Sequence, residues 1–171
     1  MAKPLHLING LLTEVPAVAI SAGAGDAGKL LELDSTGRID ESMMPVGIGA
    51  DVKIIEASEN LSAGDYITIH NSTGAKVRKA DASDGLAGQA HGFVLNNVTS
   101  GDDATVYFEG ANSALTSLTP GMTYALSHTT PGSVVELSSA STSAGHILQI
   151  LGVATEATEI NTEIGNPILR A

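Results

Sequence analysis

Gly23-Ala-Gly25-Asp-Ala-Gly28 spells a G-x-G-x-x-G string, the fingerprint with which a strand–turn–helix unit cradles a dinucleotide pyrophosphate. That chemistry needs a helix N-terminus directly after the glycines, because its free N–H groups receive the phosphate oxygens. Here the apolar run that follows, Lys29 to Leu33, is five residues long and then meets a turn, so no crossover helix fits. No nucleotide cofactor is expected. The five histidines (His6, His70, His91, His128, His146) are scattered, and no pair has the spacing of two ligands on one helix or strand face. Asp102-Asp103 and Asp81/Asp84 sit in turn-rich stretches and offer too few closely spaced oxygens for calcium. No metal is expected either.

Hydrolytic chemistry fares no better. A serine hydrolase of the nucleophile-elbow type needs Gly-x-Ser-x-Gly, which does not occur. A glycosidase needs two facing carboxylates and commonly a stacking platform for the sugar. Three Tyr, two Phe and no Trp leave little for a platform. Tyr66, Phe93, Tyr107, Phe108 and Tyr124 are expected in the core or at a subunit interface. With no cysteine, disulfides, thiolate metal sites and cysteine nucleophiles drop out together. The expected protein is not an enzyme and carries no cofactor.

Charge narrows the partners. Eight Lys+Arg against nineteen Asp+Glu give a net charge of −11. The densest basic cluster is Lys76, Arg78 and Lys79, and strand alternation sets Lys79 on the face opposite Arg78. A phosphate backbone needs a continuous basic stripe, so neither nucleic acid nor an anionic membrane surface is an expected partner. Val15 to Gly25 is too short, and too rich in Ala and Gly, to span a bilayer. Leu11 to Ala24 ends in small residues, but Glu14 interrupts it and Lys3 alone precedes it, so no secretory leader is expected.

The elements that must carry any function read as strands. Of 171 residues, 43% are apolar and 16% charged, which places the chain among folded proteins with a core to bury. Tyr66–His70, Thr105–Glu109 and Val135–Leu137 alternate with the period of two that a half-buried strand requires. Only Ile39–Met44 and Asn112–Leu118 suggest a turn or two of helix. The pattern predicts an all-β body.

Self-comparison finds a repeat. Leu61-Ser-Ala-Gly64-Asp-Tyr-Ile-Thr-Ile69 aligns with Leu118-Thr-Pro-Gly121-Met-Thr-Tyr-Ala-Leu126, a spacing of about 57 residues. Asn71–Val77 then aligns with Thr130–Val135, Ala87-Gly88 with Ala144-Gly145, and Gly92-Phe-Val with Gly152-Val-Ala. Both units are expected to close on a strand ending at Glu109-Gly110 or Glu163-Ile164-Gly165. A shorter echo at Gly28–Ile39 predicts a third hairpin. These matches predict a duplicated β-barrel or β-sandwich over residues 51–171, with similar units at about 61–110 and 118–165. Residues 1–50 are set apart as an extended N-terminal arm and first hairpin. Ser21–Gly28 has too little side-chain bulk to order itself against the entropy of fixing its backbone.

Asn9-Gly-Leu-Leu-Thr-Glu-Val15, Ser21–Leu30, Leu33-Asp-Ser-Thr-Gly-Arg-Ile-Asp-Glu-Ser-Met-Met-Pro-Val-Gly-Ile-Gly49, Ala90-His-Gly-Phe-Val-Leu95, Thr105-Val-Tyr-Phe-Glu-Gly110 and Leu118–Ser127 together resemble tailed-phage virion proteins. The chain is similar to the capsid decoration, or cement, proteins of these phages. The likeness covers most of the chain, is strongest over 21–110, and weakens from His128 to Ser143. It implies a homotrimer that binds the major capsid protein on the outer capsid surface, made in the host bacterial cytoplasm, with no catalytic residues. Leu5, Leu7, Ile8, Leu11, Leu12 and Val15 are the expected capsid-contacting side chains of the arm. A tail or baseplate fibre component and a carbohydrate-binding module on the virion surface are the alternatives.

Overall fold

The computed structural model describes residues 5–14, 16–40, 43–44 and 51–171. The chain divides into two units, 1–49 and 50–171. In the first, β1 (Leu5–Ile8) and β2 (Leu11–Glu14) form an antiparallel hairpin that pairs Leu7 with Leu12 and Leu5 with Glu14. Its turn, Asn9-Gly10, has positive φ at both residues (51° and 81°). Asn-Gly adopts that geometry readily, and it matches the twist of paired strands. An arm with little alternation was expected here; the Asn-Gly pair is the stronger local signal.

Ser21–Gly28 is likewise ordered by its own hydrogen bonds. Asp26 ends a 3₁₀ turn (Ala24–Asp26), accepts from the Ala22 N–H at 2.6 Å and pairs with Lys29. The Lys29 hydrogen bond, then that of Ala22, hold its carboxyl below the usual range. The expected hairpin at Gly28–Ile39 is a correction. The segment forms a loop in which Asp34 accepts from the Thr36 and Arg38 N–H groups, and its one strand-like contact is a parallel bridge from Leu31 to Val18. Val15 and Pro45–Gly49 lie outside the described residues, as do Glu41 and Ser42 of the expected helical turn at Ile39–Met44.

The second unit is all-β. β3 (Val52–Ala57), β4 (Tyr66–Asn71), β5 (Ala75–Lys79), β6 (Gly92–Phe93) and β7 (Asp103–Tyr107) close into a five-stranded barrel in the order β3-β5-β4-β6-β7. A parallel β3–β5 contact at Glu56↔Lys76 and Ala57↔Val77 makes the closure. In β7, Ala104 and Val106 are buried while Asp103 and Thr105 face water, so a period of two in sequence becomes an inside and an outside. The barrel interior is filled by Ile55, Ala57, Leu61, Ile67, Val77, Val94, Ala104 and Val106.

β8 (Gly110–Asn112), β9 (Thr123–Leu126), β10 (Val134–Glu136), β12 (Ile150–Glu156) and β13 (Glu159–Thr162) form a second sheet in the order β10-β9-β12-β13-β8. Read from β5, the barrel runs β5-β4-β6-β7-β3, so strands matched by the repeat occupy matched places. Registers agree as well. Ile67↔Lys79, Thr68↔Arg78 and Ile69↔Val77 correspond to Tyr124↔Glu136, Ala125↔Val135 and Leu126↔Val134. Gly64 N–H donates to Val94 O, and Val94 N–H to Asp65 O; Gly121 to Ala154 and Ala154 to Met122 repeat both bonds. The second core, Leu118, Tyr124, Ala154 and Ile160, stands at the positions of Leu61, Ile67, Val94 and Val106.

Three boundaries differ from expectation. Each module starts one strand earlier than the repeat suggested, at β3 and β8. β7 ends at Tyr107 and β13 at Thr162, before the expected Glu-Gly and Glu-Ile-Gly ends. Asn112 closes β8, and the residues from there to Leu118 form no helix. The second module also stays open, with β8 and β10 as its edges. A short ladder of β11 (Ile147–Leu148) with β14 (Ile168–Leu169) completes the unit.

Candidate functional site

Two places carry the residues singled out by sequence: the N-terminal hairpin and the seam between the β modules. In the hairpin Leu5, Leu7, Leu11 and Leu12 are 61%, 71%, 71% and 73% exposed. Leu7 and Leu12 oppose one another and Leu5 precedes them on the same face, because opposed residues of a ladder share a face. Ile8 is opposite Leu11 in the register. Leu5, Leu7 and Leu12 form an exposed apolar face of the kind that marks a contact site, and Leu11 lies on the other side of the ribbon. No side chain among the described residues of 1–49 is buried. The hairpin thus offers exposed apolar area.

The seam holds the aromatics. Tyr66, Phe93 and Tyr107 lie side by side on β4, β6 and β7, with ring centroids 5.9 Å apart for the first pair and 5.5 Å for the second. Tyr66 and Phe93 are buried and pack with Ala80, Ala82, Ala90, Leu126, Ile147 and Leu151, joining the modules; Tyr107 is partly buried against them. Tyr124 is buried in the second core, and Phe108 packs partly buried on the first. Tyr66 Oη bonds Thr162 Oγ1 at 2.8 Å, and burial pushes its hydroxyl up to about 12. Gln149, fully buried, accepts from Ala90 N–H at 2.7 Å and donates to the carbonyls of Ala90 (2.9 Å) and Gly165 (3.1 Å). These are structural bonds between elements.

The titratable residues are taken up in the same manner. Lys76 pairs with Glu56 and Arg78 with Asp84, both at 2.6 Å, and Lys79 with Asp65 at 3.3 Å, so the basic cluster is matched by carboxylates one for one. Asp81 accepts from Ser83 N–H at the head of a kinked 3₁₀ segment, Ala82–Gly88. The G-x-G-x-x-G string spans a 3₁₀ turn, Ala24–Asp26, and runs on into a loop. Two open clefts, of about 420 Å³ beside Asp51, Glu109 and Glu163 and about 240 Å³ beside Asn96, Asp102 and Asp103, hold carboxylates and amides. Among the described residues no group of three or more His, Asp and Glu could hold a metal ion.

Histidine placement is what the sequence concealed. His91 Nδ1 accepts from Ile69 N–H at 2.9 Å, and burial lowers the pKa of its ring. His70 bonds Ser58 at 2.9 Å. His128 and His146 come together, with ring centroids 6.0 Å apart, because the β9–β10 turn meets the start of β11. Seventeen residues of loop and strand separate them, and no periodicity signals the meeting. The chain matches no protein-family model, and no curated protein matches it.

Proposed function

We propose that the chain is a structural, non-catalytic virion protein that binds the outer surface of a tailed-phage capsid as a trimeric cement. The observation that carries the reading is the N-terminal hairpin, a two-stranded sheet bearing four exposed leucines in a unit with no buried side chain among its described residues. A lone hairpin is marginally stable in water and needs something to lie upon. Each leucine fully covered by a partner adds about 1.5–3 kcal/mol. The sequence likeness to decoration proteins names the partner, the major capsid protein.

Further features fit this role. Exposed Ile150 and Val153 on β12 supply apolar area for a seam between copies. Three linked arms raise avidity far above the affinity of one. A net charge of −11 keeps the protein off packaged and cellular nucleic acid.

The test is a double substitution, Leu7→Glu with Leu12→Glu, on one face of the hairpin. Both side chains are exposed, so the β body keeps its melting temperature. Binding to purified heads stripped of the protein should fall at least tenfold, measured by co-sedimentation. Heads that bind the variant as tightly as the native chain overturn the reading.

A further inference from the structure

We propose that His128, His146 and Arg170 form a binding site for a small tetrahedral oxyanion, phosphate or sulfate. The proposal does not rest on the virion reading. Its ground is a pair of nitrogens. His128 Nδ1 and Arg170 Nε are buried and have no hydrogen-bond partner. Buried polar atoms are nearly always bonded, and each exception in a folded chain calls for a missing partner. Lys29, Lys76, Arg78 and Lys79 each have a carboxylate partner, so an Arg Nε with nothing to donate to stands out in a chain of charge −11.

The two nitrogens belong to one neighbourhood. Just beyond the β11–β14 pairs Ile147↔Leu169 and Leu148↔Ile168, the Arg170 backbone lies against both Gly145 and His146. Arg170 N–H donates to His146 O at 2.8 Å, and Gly145 N–H donates to Arg170 O at 3.0 Å. His128 reaches the same place from the turn after β9, its ring 6.0 Å from that of His146. Ser141 Oγ, itself nearly buried, lies 2.7 Å from His146 Nδ1, which fixes that ring and leaves Nε2 for a ligand. Three chain segments therefore meet here.

Chemistry selects the ligand. A guanidinium and two imidazoles offer N–H donors, and the guanidinium fork suits oxyanions above other acceptors. With ring centroids 6.0 Å apart, an acceptor oxygen set off the line between them is within reach of an N–H from each ring, at about 2.9 Å for each N–H···O bond. A divalent cation would also find imidazole nitrogens here, but it would sit beside a fixed positive charge.

The full-length chain is titrated with inorganic phosphate at constant ionic strength, with histidine ring resonances followed by NMR. His128 and His146 resonances should shift saturably while those of His70 stay still. Sulfate should saturate the same resonances, and chloride should not. Arg170→Gln should weaken phosphate binding at least fivefold. If that variant disturbs the β11–β14 amides, His128→Asn, whose ring lies outside the ladder, should give the same loss. Non-saturating shifts, unchanged affinity in the variants, or saturation by zinc and not by phosphate would each overturn the site.

Discussion

His91 shows how one ring nitrogen ties a side chain to the pH dependence of folding. Its Nδ1 accepts the Ile69 N–H, so the neutral ring carries its proton on Nε2, and burial disfavours the charged form. From the ordinary value of 6.5 down to the lowered folded value, the unfolded chain takes up a proton that the folded chain refuses. Stability therefore falls as pH drops below 6.5. Asn places an acceptor oxygen where Nδ1 sits and does not titrate. His91→Asn should melt close to the native chain at pH 7.5 and lose less stability by pH 5; parallel melting curves across that range would refute the assignment. Gln149 makes a second case. Gln149→Leu strands Ala90 N–H, Ala90 O and Gly165 O in the interior, each a group whose lost bond costs about 1–3 kcal/mol. A urea titration should show a loss of about 3 kcal/mol or more, and a loss below 1 kcal/mol would mean that the clamp is incidental.

At the level of elements, the repeat is written in close approaches as much as in hydrophobic pattern. Gly92 sits on β6 where an added Cβ would lie 2.6 Å from Tyr107 O and 2.8 Å from Val106 Cγ1. Gly152, its counterpart on β12, would overlap Asn161 O and lie 2.8 Å from Ile160 Cγ2. Both glycines let one strand press against the next, so Gly92→Ala and Gly152→Ala should each destabilise by about 1–3 kcal/mol by pushing that neighbour away. A neutral result at either position would dissolve the equivalence. These two glycines were legible in sequence, as were β4, β9 and the matched hairpins, because Leu61/Leu118 and Gly64/Gly121 recur at fixed offsets. The first strand of each module was not legible. β3 faces Val52 and Ile54 outward beside buried Ile55, and β8 is three residues long with one buried position, so neither shows a clean alternation. Asn9-Gly10 could have revealed the N-terminal hairpin. The meeting of His128 with His146 could not, since only the packing of the β9–β10 turn on β11 creates it.

For the whole molecule, the division of burial sets the division of stability. Every buried apolar side chain among the described residues lies at or beyond Ile55. The second module has a private core of only Leu118, Tyr124, Ala154 and Ile160, and most of its other buried bulk (Leu126, Ile147, Leu151) packs on Tyr66 and Phe93 of the first. Two bodies that share a core unfold together, whereas a two-stranded hairpin with no buried side chain among its described ones opens locally at little free-energy cost. Hydrogen exchange on the free protein should show slow amides in β4, β7, β9 and β12 with a common opening free energy, and fast amides from Leu5 to Glu14. Leu126→Ala, which leaves a cavity on the shared side, should cost about 2–5 kcal/mol and lower protection in both modules together. Protection lost in β9 and β12 alone would show two independent domains and remove the structural reason for a joined pair. Exchange on decorated heads completes the argument: the Leu5–Glu14 amides should become protected there while the β body changes little. A hairpin that remains as fast on the capsid as in solution is not the contact, and the cement reading then loses its anchor.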